Sequence, residues 1–273
     1  MPLPGVAVPL RSDHEVPPAV MGRSHAVSAA LAWSVATSVP AIAGPLGVAD
    51  LPLDIRLVGL GVAAGWALAP DADHARATIS RSAPGASILT ATAGRISGGH
   101  RHGMHSLLAI AVVWYLVPVL TAVRFPLPPL GTVSLAALLT LPALAFAAKA
   151  TRTARSWPLA WAVAAVVSGL LIGLADGSWA WLRVAATLGY FVHIAGDALT
   201  TEGINWLWPL RIRAPRAVRR IPVLRRLWTS GGYAALPVLG SAGSWRETIL
   251  YWLMSAATTV LTAALLVSEL LPA

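Results

Sequence analysis

Seven apolar runs separated by short polar stretches leave this chain few ways to fold. They cover residues 24–42, 57–69, 104–123, 130–148, 157–175, 179–200 and 248–271. A helix needs roughly 20 mostly apolar residues to cross about 30 Å of hydrocarbon, so the second run needs a few flanking residues. Hydrophobic residues make up 56% of the 273 and charged residues 11%, against about 25% charged in soluble domains. Lipid is therefore the solvent for most of the chain. Pro118 and Pro142 do not disqualify their runs, because neighbouring helices repair the backbone in a membrane. Ala, Gly and Ser recur every three or four positions, which lets helices approach closely. The expected fold is an all-α polytopic bundle of about seven transmembrane helices.

The cytoplasmic side of such a bundle collects Lys and Arg. With the N-terminus cytoplasmic, that side receives Arg11 and Arg23, then Arg76, Arg81, Arg95 and Arg101, then Lys149, Arg152 and Arg155, then the run from Arg211 to Arg246. Only Arg56, Arg124 and Arg183 fall opposite. The imbalance predicts an N-in cytoplasmic-membrane protein whose C-terminus lies outside. It also explains the net charge of +9 through topology and anionic headgroups, so no nucleic-acid partner is expected.

Four regions follow. Residues 1–20, with Pro at 2, 4, 9, 17 and 18, read as a flexible tail, and Met21 is a candidate initiator because the first span starts just after it. Residues 21–209 hold the membrane-embedded spans and nearly all the unusual polar groups. Residues 210–247 interleave Arg211, Arg213, Arg216, Arg219, Arg220, Arg225 and Arg226 with Ile212, Val218, Leu224 and Trp228, a basic interfacial segment suited to anionic headgroups. Residues 248–273 form the last helix. The long stretch 70–103 lacks periodicity and is expected to be an irregular loop with a short surface helix.

The chain has no cysteine, which removes disulfides, thiolate zinc sites and cysteine nucleophiles. Its His and Asp residues gather instead at helix ends. His25 opens the first span, Asp71, Asp73 and His74 close the second, His100, His102 and His105 open the third, and His193 and Asp197 close the sixth. In the N-in topology all four ends lie on one face. His193 and Asp197 share a helix face at i, i+4 spacing, inside an apolar run where such groups are costly and by default functional. His25, Asp71, His74, His100, His105, His193 and Asp197 offer N and O donors for one or two divalent ions, zinc first among them. An ion there activates water near neutral pH, which is hydrolytic chemistry. Asp73 is the expected base and Arg101 the expected stabiliser of an anionic product. No Gly-flanked serine elbow and no P-loop competes.

The strings Pro70-Asp71-Ala72-Asp73-His74, His100-Arg101-His102-Gly103-Met104-His105-Ser106 and His193-Ile194-Ala195-Gly196-Asp197-Ala198-Leu199-Thr200 resemble those of the YdjM-like family of inner-membrane proteins. The likeness spans about residues 21–209. The family pattern has Thr-His near the start, then Pro-Asp-x-Asp-His, His-Arg-Gly-x-Thr-His-Ser and His-x-x-x-Asp-x-x-Thr. This chain departs from it with Ser24 before His25, His102 in place of Gly and Met104 in place of Thr; His102 is expected to face solvent. The resemblance implies a membrane-bound metal-dependent hydrolase with a distant likeness to zinc-dependent phospholipase C, and, since members are described as LexA-binding, a soluble regulator as partner. Residues and resemblance together predict metal-activated water attacking a phosphate-ester-like substrate, lipid esters included, at the cytoplasmic face. The rival readings are a proton- or cation-handling transporter and a membrane docking protein with a structural metal.

Overall fold

The computed structural model describes residues 19–128, 131–174, 179–229 and 231–271; most of the expected tail 1–20 lies outside them. Helices α1 (Ala19–Ser38), α2 (Pro40–Leu46) and α3 (Leu53–Trp66) come first, and α4 (Ala86–Ser97) follows two 3-10 turns, Pro70–Asp73 and Thr78–Arg81. Beyond a third such turn, Gly103–His105, runs α5 (Leu107–Ala122). Next come α6 (Leu135–Leu138), α7 (Thr140–Ala150), α8 (Trp157–Leu174) and α9 (Ala180–Ala198), then the short α10 (Arg216–Arg220) and α11 (Pro222–Leu227), and finally α12 (Trp245–Leu270).

Each expected apolar run carries helix, with three departures. Between α5 and α6 the strands β1 (Arg124–Pro126) and β2 (Thr132–Ser134) pair antiparallel, so the fold is mostly helical and not purely so. The first run breaks: α2 leaves α1 at 92°, because Val39 is extended and Pro40, with no N–H to give, starts a new helix. Among the described residues, Leu53–Asp73 and Trp245–Leu270 are long and apolar enough to cross a membrane, which makes three segments if the bent pair α1–α2 counts as one span. Leu107–Ala122, Leu135–Ala150 and Trp157–Gly173 are apolar but shorter.

α9 is not among the candidate spans, although it is 19 residues long. It packs against α1, α3 and α5 and buries eleven of its residues, from Trp181 to Ala198. A helix wrapped by other helices does not need a lipid-compatible surface all round, which is how it carries His193 and Asp197. Its approach to α3 depends on Gly189: a Cβ there would collide with the Ala63 carbonyl. α12 is the opposite case, a long apolar helix with no buried residue that lies along α1.

The 70–103 stretch is irregular with one short helix, as expected. α4 starts after Gly85 and stops at Gly98, both left-handed, and exposes Ile88, Leu89 and Ile96 on its outer side. The chain beyond α9 folds back onto that helix's end, through Leu236 N–H to Ala198 O at 2.6 Å, Leu239 N–H to Leu199 O at 3.0 Å and Thr201 N–H to Gly240 O at 3.0 Å. The arginines of α10 and α11 lie on exposed helices with no buried residue.

Candidate metal centre

The start of α1, the turn after α3, the turn before α5 and the end of α9 meet at one end of the bundle, and they bring His25, Asp71, Asp73, His100, His105, His193 and Asp197 together. His105 and His193 are fully buried, and their Nε2 atoms face each other across 3.2 Å. Asp197 Oδ2 lies 3.3 Å from His105 Nε2 and 3.8 Å from His193 Nε2. Asp71 Oδ1 lies 3.9 and 3.6 Å from the same two nitrogens. His25 stacks on the His193 ring at 3.9 Å and sets Nε2 3.5 Å from Asp197 Oδ1.

The outer atoms of the rings fix which nitrogens are free. His193 Nδ1 is 2.6 Å from the Ala67 carbonyl oxygen, which can only accept, so this nitrogen carries the proton and Nε2 presents a lone pair. His100 Nδ1 likewise donates to Asp73 Oδ1 at 2.8 Å. The other Asp73 oxygen lies 3.3 Å from His105 Nδ1, and both atoms are buried without a hydrogen bond. A carboxylate or carbonyl behind each imidazole is the arrangement that orients metal-ligating histidines.

The donor set passes a simple fit test. Ligand bonds of roughly 2.0–2.2 Å at tetrahedral angles put neighbouring ligand atoms about 3.3–3.6 Å apart. His105 Nε2 and His193 Nε2 lie 3.2 Å apart, and each lies between 3.3 and 3.9 Å from Asp71 Oδ1 and from Asp197 Oδ2. Two carboxylates and the His193 lone pair gathered around His105 Nε2 call for positive charge among them, which a proton on His105 or a bound cation supplies. Two groups of three residues have mutually close donor atoms: His25, His193 and Asp197, and Asp71, His100 and His105.

A scan against family models matches residues 20–269 to the YdjM inner membrane protein model. The chain belongs to the YdjM inner membrane protein family. That membership and the membrane-length apolar helices make it an inner-membrane protein. No curated protein and no solved structure gives a significant match.

Within this YdjM member, the remaining predicted residues divide. His74 stands at the rim, its Nδ1 accepting the Arg76 N–H at 3.1 Å and its ring edge-on to His100 at 4.7 Å. Burial and the His100 ring hold its pKa below the ordinary imidazole value. Arg101 does not face outward, as a stabiliser of a product would. It is buried under Asp197, 3.4 Å from Oδ1, and donates to Thr200 Oγ1 at 3.0 Å, with Glu202 3.3 Å from its Nε. Its backbone is left-handed, with φ 62°, which turns the loop between His100 and His105. Asp73 sets one oxygen 2.8 Å from His100 Nδ1 and the other 3.3 Å from His105 Nδ1.

His102, expected to face solvent, is half-buried and paired with Tyr233: its Nε2 lies 2.8 Å from the Tyr233 hydroxyl. Burial raises the pKa of that phenol, against the nearby Arg211 and Arg101. Sequence reasoning missed Tyr190, whose hydroxyl donates to the Met104 carbonyl at 2.6 Å and pins the His loop to α9. It also missed the Ala67 carbonyl, which no side-chain pattern can reveal, and Gly94, which lets α4 press on the Asp73 carbonyl at 2.8 Å from an added Cβ.

Proposed function

We propose that this YdjM-family protein is a metal-dependent hydrolase that cleaves a phosphate ester at the cytoplasmic face of the inner membrane. The observation that carries the reading is the pair of buried nitrogens His105 Nε2 and His193 Nε2, each with Asp71 and Asp197 oxygens at distances compatible with shared ligation of an ion. His25 and His100 extend it toward a second ion, and the N/O donor set suits zinc. A divalent ion held there supplies Lewis-acid charge and lowers the pKa of a water.

The chain's own residues hold and aim that machinery. Asp73 orients His100 and stands behind His105; the Ala67 carbonyl fixes the His193 tautomer; Arg101 holds Asp197 in place. In the reaction a water oxygen forms a new bond to phosphorus, the ester P–O bond breaks, and a proton passes to the leaving oxygen. The proposed topology has seven membrane-crossing segments with the N-terminus inside. It is supported by Arg76, Arg81, Lys149, Arg152 and Arg155 lining one basin near the His and Asp cluster, as cytoplasmic loops should.

The test is metal analysis of the purified protein followed by a panel of phosphate esters. Stoichiometric metal with metal-dependent phosphate release is expected. Metal without turnover of any ester leaves a docking protein with a structural ion, and no metal under varied loading conditions removes the hydrolase.

A further inference from the structure

The cluster is reached from two sides that differ in chemistry. On one side lies a cavity of about 190 Å³ between α1, α9 and α12. Its wall carries His25, Asp197 and, from α12, Glu247, and its surface is otherwise mainly apolar, with Val192, Leu199, Leu250 and Met254 among the lining residues. On the other side a smaller space of about 80 Å³ is bordered by Asp71, His74, His100, Arg76 and Thr78. Arg76 and Thr78 also border a basin of about 770 Å³ whose wall includes Arg81, Lys149, Arg152 and Arg155.

α12 lies along α1, and no comparable packing joins it to α9, so the α9–α12 side is left without close helix packing. α12 is apolar, of membrane-spanning length and without a buried residue. A mainly apolar space beside such a helix suits an alkyl chain, whose burial is worth about 0.8 kcal/mol per methylene. Basic walls that start at the rim residue Arg76 suit an anionic headgroup. The two compartments meet at the His and Asp donors.

We propose that the substrate is a membrane amphiphile with an anionic phosphate headgroup: its hydrocarbon chain enters laterally between α9 and α12, and its headgroup lies toward the Arg76–Arg155 basin. This rests on the hydrolase reading for the bond that is cut, but chain binding can be measured without turnover. The placement explains why the cluster sits at the end of the bundle and not at its centre: ester, water and headgroup all meet at headgroup depth.

The experiment uses the full chain, reconstituted in phosphatidylcholine vesicles containing a phosphatidic acid with a photoreactive diazirine on one acyl chain. After irradiation the labelled peptides are mapped by mass spectrometry. Label is expected on α9 near Val192–Leu199 and on α12 near Leu250–Met254. It should fall at least fivefold in Leu250→Trp and Met254→Trp, which fill the cavity from a helix whose stability does not rest on burial. A dihexanoyl analogue should compete poorly and a dioleoyl phosphatidic acid well. Label spread evenly over outward residues such as Trp252 and Val260, unchanged in both Trp variants, overturns the proposal. So does competition by inorganic phosphate equal to that of the long-chain lipid. Specific labelling of a protein that releases no phosphate from any ester keeps the lipid site and removes the hydrolase, so the two failures are distinct.

Discussion

His105 and His193 hold their Nε2 atoms 3.2 Å apart in a fully buried site, and His193 has its only N–H committed to the Ala67 carbonyl. With Asp197 Oδ2 within 3.8 Å of both nitrogens, the place between them is occupied either by a proton on His105 Nε2 that the His193 lone pair accepts or by the proposed metal ion. His105→Ala and Asp197→Ala should each abolish stoichiometric metal, read by elemental analysis of protein purified in detergent. Retention of full metal in both variants would show that the four atoms are not ligands.

Asp73 lies behind the His100 and His105 rings, and the proposed role of its carboxylate is to aim them. Asp73→Asn keeps the shape and all the ligands but replaces a carboxylate with an amide behind His100 and His105. Metal affinity should fall about 10–100-fold, measured by competition with a chromogenic chelator, while the fold stays intact by circular dichroism. An unchanged affinity would reassign Asp73 to chemistry.

Arg101 is a buried cation whose partners are Asp197, Thr200 and Glu202. Arg101→Ala leaves the buried Asp197 without that partner and should lower stability by about 3–5 kcal/mol. Arg101→Lys should recover only part, because one ammonium cannot reach three acceptors set around a planar fork. Thermal melting of the two variants beside the unsubstituted protein checks both statements; a stable Arg101→Ala protein that loses only turnover would restore the expected product-stabilising role.

Gly189 crosses α3 where a Cβ would strike the Ala63 carbonyl. Gly189→Val must push α9 away from α3 and so displace His193 from Ala67. A loss of about 1–3 kcal/mol is expected from overpacking, together with weakened metal retention. A variant that melts like the parent and keeps its metal would mean that the helices are not packed this closely.

The absence of native cysteine makes topology directly measurable. Thr132→Cys in β2 and Thr153→Cys after α7 are both exposed and belong to opposite sides in the N-in arrangement. A membrane-impermeant maleimide added to intact cells should label Thr132→Cys and spare Thr153→Cys. The reverse pattern inverts the protein.

The convergence of four helix ends was legible before any coordinates, because polar residues inside apolar runs are costly and therefore informative: His193 and Asp197 stand out in α9 for that reason alone. Roles were less legible. Arg101 and His102 are neighbours in one polar string, yet one turns inward to Asp197 and the other pairs with Tyr233, and both partners lie about a hundred residues away in the chain. The break at Val39 and Pro40 could have been suspected from the proline, but the 92° angle depends on what the two helices pack against.

Apolar run length and the placement of His, Asp and Arg determined that this chain is a membrane protein with its chemistry at one end of the bundle. Those are local properties, set by the cost of moving each residue type out of water. Which oxygens and nitrogens face one another, and which cavities border them, were decided only when α1, α3, α5 and α9 packed together. Ångström-scale spacing between donors from four separate segments is a property of that packing, and no segment carries it alone.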